Sequence, residues 1–369
     1  MPSFVPAEMP PGRSRPTRRQ VLGGLAGLAA GTAGVARAQT EDRWWADGTT
    51  VDIHSHAGRV SLTHHPAQGA LRPFAPVADA MRAGGMQVIC LAIVADSTAT
   101  HVSADRRRIE PFRNPDPGEL YALSRMAFAR AQALVAEQGL RVALTAADLR
   151  AAAQAGPTVV MASEGADFLE GRLDRVNEAW QQYGLRHLQL THYRPNELGD
   201  IQTEAPEHDG LTDFGAEVVR RCNQRGLVVD VAHGTYALVE RAAAVTGKPL
   251  VLSHTSLASR PGLRSRQVTA GHARLVAGTG GVVGVWPSAG VFGSIQDMAN
   301  GVKRLADAIG IDHVGLGSDM MGFITPPVFQ DYRQLPDFAN ALLAAGLSRE
   351  DARKVLGGNY LRVFEASVG

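Results

Sequence analysis

Short apolar runs recur along this chain, and most are followed by a stretch whose apolar residues fall at helical spacing. The runs lie at Thr50–His54, Gln87–Ala95, Thr158–Ser163, His187–His192, Leu227–His233, Pro249–His254, Gly281–Trp286 and His313–Ser318. Several are continuously apolar rather than alternating, as a strand buried on both faces of a parallel sheet requires. Helices are predicted between them over Leu120–Glu137, Arg172–Tyr183, Asp213–Gln224, Tyr236–Val245, Ala270–Ala277 and Ile295–Ile309. Gly139, Gly184, Gly226, Gly247, Gly278 and Gly310 fall just past those helices, where a left-handed cap favours glycine. Such repeated units predict an α/β fold of the (β/α)8 TIM-like barrel type. Arg141–Thr145 is read as an extra short extended segment before a helix at Ala147–Ala155. The last helices, Pro336–Ala345 and Arg349–Leu356, are expected to cover the outside of the barrel.

The polar residues sit at the ends of these runs. Val51-Asp52-Ile53-His54-Ser55-His56 closes the first on a His-x-His, and Val159 to Glu164 closes the third on a carboxylate. The fourth stops on His192, the fifth on His233, the sixth on His254, and the eighth runs on to Asp319. All strand C-termini of a barrel face one mouth, so these five histidines and two acids converge there. Residues two apart on a strand share a face, so His54 and His56 can address one metal. Glu164 can bridge two cations, with His233 and His254 completing the second site. Imidazole and carboxylate without thiolate suit zinc, and two such ions would hold a hydroxide that is nucleophilic at neutral pH. Any one of these histidines alone reads as an ordinary satisfied polar residue; the joint placement is what argues for metal. His187 and His313 begin their strands and are read as structural, and His64 and His65 as solvated loop residues. Asp52 and Asp230 are expected to hydrogen-bond to metal ligands from behind.

Composition narrows the picture. The 369 residues are 45% hydrophobic with 40 glycines, and the net charge of +1 offers no field for nucleic acid or anionic membrane. Thr17-Arg18-Arg19-Gln20 precedes a weakly apolar run from Val21 to Val35 and a small-x-small pattern, Ala36-Arg37-Ala38. This predicts a twin-arginine signal over residues 1–38, a single mature domain over 39–369 starting at Gln39, and a periplasmic or secreted location. The run is too short for a membrane span. The two cysteines, Cys90 and Cys222, fall in different sectors of the proposed barrel and are read as buried and unpaired.

At these residues the chain resembles the membrane dipeptidase (renal dipeptidase) family of zinc peptidases, within the amidohydrolase-like barrels. The stretches that carry the resemblance are Ser163-Glu164-Gly165, Leu190-Thr191-His192, Gly210 to Gly215, Val229 to His233, Ser253 to Ser256, Gly280 to Val283 and Gly310 to Asp319. The resemblance implies a small peptide substrate, two zinc ions with His54 on one, Glu164 across both, and His233 and His254 on the other. It implies that His192 polarises the scissile carbonyl and that Asp319 passes a proton from the attacking water to the leaving amine. Arg266 would grip the substrate's C-terminal carboxylate, with Arg260 and Arg264 as alternatives, and Tyr193 would face the substrate. Members of the family are often homodimers.

The chain departs from the family pattern in three places. His56 stands where an aspartate is usual, Tyr193-Arg194-Pro195-Asn196-Glu197 replaces an asparagine-threonine-proline-tryptophan pattern, and Met320-Met321-Gly322 lacks an acid after Asp319. Two other functions compete with a dipeptidase. One is a barrel amidohydrolase acting on another amide, lactone or ester, where a carboxylated lysine often ends the fourth strand. His192 holds that place here, and none of the three lysines ends a proposed strand. The other is a non-catalytic exported metal-binding protein, against which the retention of His192 and Asp319 argues.

Overall fold

The computed structural model describes residues 43–62 and 72–369. The predicted signal over residues 1–38, its cleavage point before Gln39, and His64 and His65 lie outside the described residues. Residues 45–369 form one unit, and Arg43 and Trp44 belong with the preceding segment. No described helix is long and apolar enough to cross a membrane.

The apolar runs form a closed ring of eight parallel strands. These are β1 (Val51–Ser55), β2 (Val88–Val94), β6 (Thr158–Glu164), β7 (Leu185–Gln189), β8 (Val228–Asp230), β9 (Leu250–Thr255), β10 (Val282–Val285) and β11 (Val314–Leu316). Their order around the ring is β2-β1-β11-β10-β9-β8-β7-β6, and β6 pairs back onto β2 from Val88↔Thr158 to Val94↔Glu164. Two antiparallel strands, β3 (Thr100–Val102) and β4 (Ile109–Pro111), make a hairpin just beyond β2. The extra segment at Arg141 is the two-residue strand β5 (Arg141–Val142), which pairs with the first residues of β6.

Among the described residues the helices are α1 (Ala78–Gly84), α2 (Glu119–Glu137), α3 (Ala146–Ala155), α4 (Asp174–Gln182), α5 (Asp213–Arg225), α6 (Tyr236–Val245), α7 (Ala270–Gly278), α8 (Ile295–Ile309), α9 (Leu335–Ala344), α10 (Arg349–Arg353) and α11 (Asn359–Val368). Their starts are fixed locally. Thr145, Thr212, Thr235, Thr269 and Ser294 each accept a backbone N–H of the first turn, which satisfies a donor the helix cannot. Gly139, Gly184 and Gly226 adopt positive φ as expected. Gly247 does not, because α6 ends on an extended Thr246, and Gly278 lies inside α7 with Gly280 taking the left-handed turn.

Three expectations about strands and helices are corrected. The fourth strand starts earlier and stops earlier than predicted, so His187 lies inside it and not at its start. There His187 is buried between the Tyr360 hydroxyl at 2.9 Å and Asp230 at 3.2 Å. The fifth strand stops at Asp230, three residues before His233. The predicted helix at Arg349–Leu356 ends at Arg353 and passes through a π-turn (Lys354–Gly358) into α11. That last helix closes the base of the barrel instead of covering its side. Tyr360, Val363 and Phe364 pack against Val51, Val88, Cys90, Val160 and Val228, and the buried Asn359 amide donates to the Ile311 and Val314 carbonyls at 2.8 Å each. Cys90 and Cys222 are buried and free.

Between β11 and the mouth the backbones run close together. A Cβ on Gly317 would lie 1.8 Å from the Ser253 carbonyl oxygen, which belongs to β9 and cannot rotate away. Gly317→Ala is expected to cost at least ~1–3 kcal/mol in urea unfolding, as overpacking does. Gly262→Ala, with nothing within 4 Å of the new methyl group, is expected to stay within about 0.5 kcal/mol.

Candidate metal centre

Glu164 is the last residue of β6, and its carboxylate sits 3% exposed at the centre of the barrel mouth. Its Oε1 lies 3.1 Å from His233 Nε2, 3.4 Å from His54 Nε2 and 3.4 Å from His254 Nε2. Its Oε2 lies 3.1 Å from both His56 Nε2 and His192 Nε2. Asp319 Oδ1 is 3.4 Å from His56 Nε2. The structure thus brings together all five predicted histidines and both predicted acids, with each imidazole turning its Nε2 inward.

The way they converge differs in part from simple strand alternation. His254 lies within β9, but His56 falls after the end of β1, where the backbone has left the strand (φ −107°, ψ 24°). Its ring is instead held by Nδ1–H donating to the Ala92 carbonyl at 2.8 Å. That bond fixes the tautomer and leaves the Nε2 lone pair facing the cluster. His233 and Asp319 stand beyond their strands at φ 68° and 47°, a left-handed backbone that costs energy for such residues. Asp319 is tied back by its N–H donating to the His54 carbonyl at 2.9 Å. Gly322 leaves the room its carboxylate occupies, since a Cβ there would lie 2.0 Å from Asp319 Oδ1.

Asp52 and Asp230 do not bond the five imidazole rings of the cluster; Asp230 bonds the His187 ring instead. Asp52 accepts from the Ser318 N–H at 2.8 Å, the Ser318 hydroxyl at 2.5 Å, the Tyr332 hydroxyl at 2.8 Å and the His54 N–H at 3.4 Å. Asp230 accepts from the Ala232 and Ser253 N–H groups at 2.9 and 3.1 Å. Both therefore act on the ligand-bearing backbone, because the ladder ends there and leaves its N–H groups unpaired. His313 sits below β11, with Nδ1 bonded to the Gly281 carbonyl at 2.8 Å.

One member of the site is absent from the predictions. Asp96, wholly buried, accepts from His192 Nδ1 at 2.7 Å and from the Tyr193 N–H at 3.1 Å. It follows the apolar run of β2 by two residues, the same placement that marks the other site residues. The loop that departs from the family pattern is anchored by a second unpredicted acid. Arg194 and the Asn196 amide donate to the buried Asp167 at 2.8 and 3.2 Å. Arg266 is buried beside the cluster and donates to Gln202 Oε1 at 2.6 Å, while Arg264 turns to Glu204 at 3.7 Å and Arg260 is exposed. Tyr193 stacks edge-on with His192 and His233.

The electrostatics divide the imidazoles. Burial would raise the Glu164 carboxyl, but the charges of His192 and His54 and hydrogen bonds from His233 and His254 hold it well below its usual range. Burial would lower His192, yet Asp96 and Glu164 raise it to about 9. Burial, with Arg266 next, pushes His233 well down, and burial with the charge of His54 takes His254 to about 3. Neutral His233 and His254 keep lone pairs available. Asp319 is raised to about 6, by burial first and by the nearby Glu164 charge.

These donors fit a cation. His233 and His254 bring two nitrogens within 3.1 Å of one another, as His54 and His56 do at 3.2 Å. Among the described residues three groups have ligand atoms within 4.8 Å of one another: His54, His56 and Asp319; His54, Glu164 and His254; Glu164, His192 and His233. Glu164 is shared by two of them, and the donors are all nitrogen and oxygen, as divalent catalytic cations prefer. A cavity of about 260 Å³ opens over this cluster.

Comparison with known proteins identifies the family and the fold. The model of the membrane dipeptidase family (peptidase family M19) matches residues 78–368. The dipeptidase aclJ of Aspergillus oryzae is 33% identical over 199 residues, which are 51% of this chain and 47% of that protein, so the match spans about half the relative's length. Two solved structures share the fold. The probable dipeptidase PvdM from Pseudomonas aeruginosa (TM-score 0.73, 16% identity) covers 89% of this chain and 98% of its own. A Rhodobacter sphaeroides metallopeptidase bound to a phosphinate mimic of the dipeptide L-Ala-D-Ala (TM-score 0.70, 23% identity) covers 86% and 99%.

The buried Asp96–His192 pair gives a direct test. In metal-free protein, the His192 ring is expected to titrate near 9, and in Asp96→Asn to fall toward its ordinary 6.5, as read by imidazole NMR. Because the folded value is raised, this pair's contribution to stability is full below about 6.5 and is lost as the pH rises through 9.

Proposed function

The chain belongs to the membrane dipeptidase family, peptidase family M19, and from that premise we propose that it is a zinc-dependent dipeptidase. The observation that carries the proposal is Glu164, one carboxylate shared by two groups of inward-turned imidazoles beneath an open cavity. Two zinc ions would be held by His54 and His56 on one side and His233 and His254 on the other, with Glu164 between them. When bound they supply positive charge beside the scissile carbonyl and acidify the attacking water.

The chain's own residues do the rest. His192, held by Asp96, donates to the carbonyl oxygen as negative charge develops on it. Asp319, raised to about 6, accepts a proton from water and returns it to the leaving amine. Arg266 is kept in place by Gln202 and Tyr193 and presents its guanidinium to the substrate's C-terminal carboxylate. A D-residue at that position is part of the proposal, supported by the L-Ala-D-Ala mimic held by the Rhodobacter sphaeroides relative. Export by the twin-arginine route rests on Arg18-Arg19 and the pattern that follows them, and a homodimer on family membership.

The test is hydrolysis of an L-L and L-D dipeptide panel by zinc-loaded protein, with metal measured on the same sample. Turnover with about two zinc ions per chain is expected, lost on chelation and restored by zinc. Asp319→Asn is expected to keep its metal and lose turnover by ~10²–10⁴-fold, whereas Glu164→Gln loses metal. Activity that survives complete metal removal would overturn the mechanism, and equal metal loss in the two variants would overturn the assignment of roles.

A further inference from the structure

The cleft does not end at the metal centre. Beyond Tyr193, Asp319 and Gly322, which line both parts, it continues into a second lobe of about 180 Å³. Arg266 lines this second lobe and not the first. On the dipeptidase reading, the C-terminal residue of the substrate therefore enters here, and its side chain meets whatever else lines the lobe.

That lining is cationic. Arg107 and Arg108, from the turn between β3 and β4, and Arg264 join Arg266, while Asp319, which faces His56, is the lobe's one carboxylate among the described residues. Arg108 is paired with Glu110 at 2.7 Å and Arg264 with Glu204 at 3.7 Å. Arg107 has no ion pair among the described residues. Trp286 and Phe323, with ring centroids 5.3 Å apart, form an apolar wall. Thr203 also lines the lobe, is 7% exposed, and its buried hydroxyl has no hydrogen-bond partner among the described residues. An apolar wall, an unpaired guanidinium and an unused hydroxyl donor match a short methylene stem that ends in a carboxylate.

We infer that the second lobe selects dipeptides whose C-terminal residue has an acidic side chain, glutamate or aspartate, and that Arg107 is its specificity-determining residue. The inference rests on the dipeptidase reading for its orientation. Two carboxylates then enter the lobe: the α-carboxylate at Arg266 and the side-chain carboxylate at Arg107 near the solvent edge.

Glutamine is the isosteric neutral control. For Gly-Glu against Gly-Gln, each with both L and D second residues, kcat/KM is expected to favour glutamate by about five- to tenfold, and the preference to shrink at high salt. Arg107→Glu is expected to bring that ratio to one or below, mainly through a higher KM for Gly-Glu. Equal rates on the two peptides by the parent enzyme would overturn the inference and leave the dipeptidase reading standing. So would an Arg107→Glu variant that loses both substrates alike. If neither peptide is hydrolysed by zinc-loaded protein, the dipeptidase reading falls. Equilibrium binding of the same peptides then decides the lobe: tighter binding of Gly-Glu that Arg107→Glu abolishes supports it, and equal binding overturns it.

Discussion

A carboxylate taken out of water without compensation costs several kcal/mol, and Glu164 is buried at the one point where eight strand ends meet. Its two oxygens are met by five imidazole nitrogens at 3.1–3.4 Å, supplied by the ends of four strands, the first of which gives both His54 and His56. Much of the mouth's structure can be understood as a means of holding those rings. Ala92 fixes one through its carbonyl, Asp96 another through its carboxylate, and Ser253 bonds His254 Nδ1 at 2.9 Å. Behind them Asp52 and Asp230 take up backbone N–H groups that the short strands leave unpaired. The strained turns at His233 and Asp319 persist because this surrounding network over-determines them.

Much of this was legible in the sequence for a simple reason. A parallel strand buried on both faces is largely apolar, so the histidine or acid that closes the run stands out and marks the mouth. That rule located Glu164, His254 and Asp319 and, with the strand lengths overestimated, His192 and His233. It would also have located Asp96, which ends the apolar run of β2 in the same way but is neither a histidine nor part of the motifs that carried the resemblance. What periodicity could not supply was the path of the chain after each strand. His56 leaves the strand geometry, and its alignment with His54 comes from the Ala92 carbonyl 36 residues on. The last helix was invisible because its role is to plug the barrel base, and Tyr360 and Phe364 only acquire meaning beside Val51 and Val228.

The three departures from the family pattern have physical accommodations here. Histidine at position 56 carries its own tautomer-fixing partner, so it presents a lone pair where an aspartate would present an oxygen. The altered loop after His192 is secured by Asp167, which burial and the charge of Asp96 raise to about 6 against the opposing charge of Arg194. Glycine at position 322 gives Asp319 the space that a side chain would take. Each substitution is matched by a contact within the same part of the mouth.

The Tyr332 hydroxyl bonds Ser55 at 2.6 Å and Asp52 at 2.8 Å, across 277 and 280 residues of chain. Asp52 takes two further bonds from Ser318, also on the far side of the sequence. The first strand therefore has its buried acid satisfied only when residues 318–332 have arrived, and any partly folded form lacking them must leave Asp52 hydrated or protonated. Contacts of such sequence separation carry the larger loop-closure cost, and topologies rich in them tend to fold slowly. Until they form, the apolar strands of the amino-terminal half are open to water and to one another. For this molecule, completing the first strand depends on side chains near the opposite end of the chain.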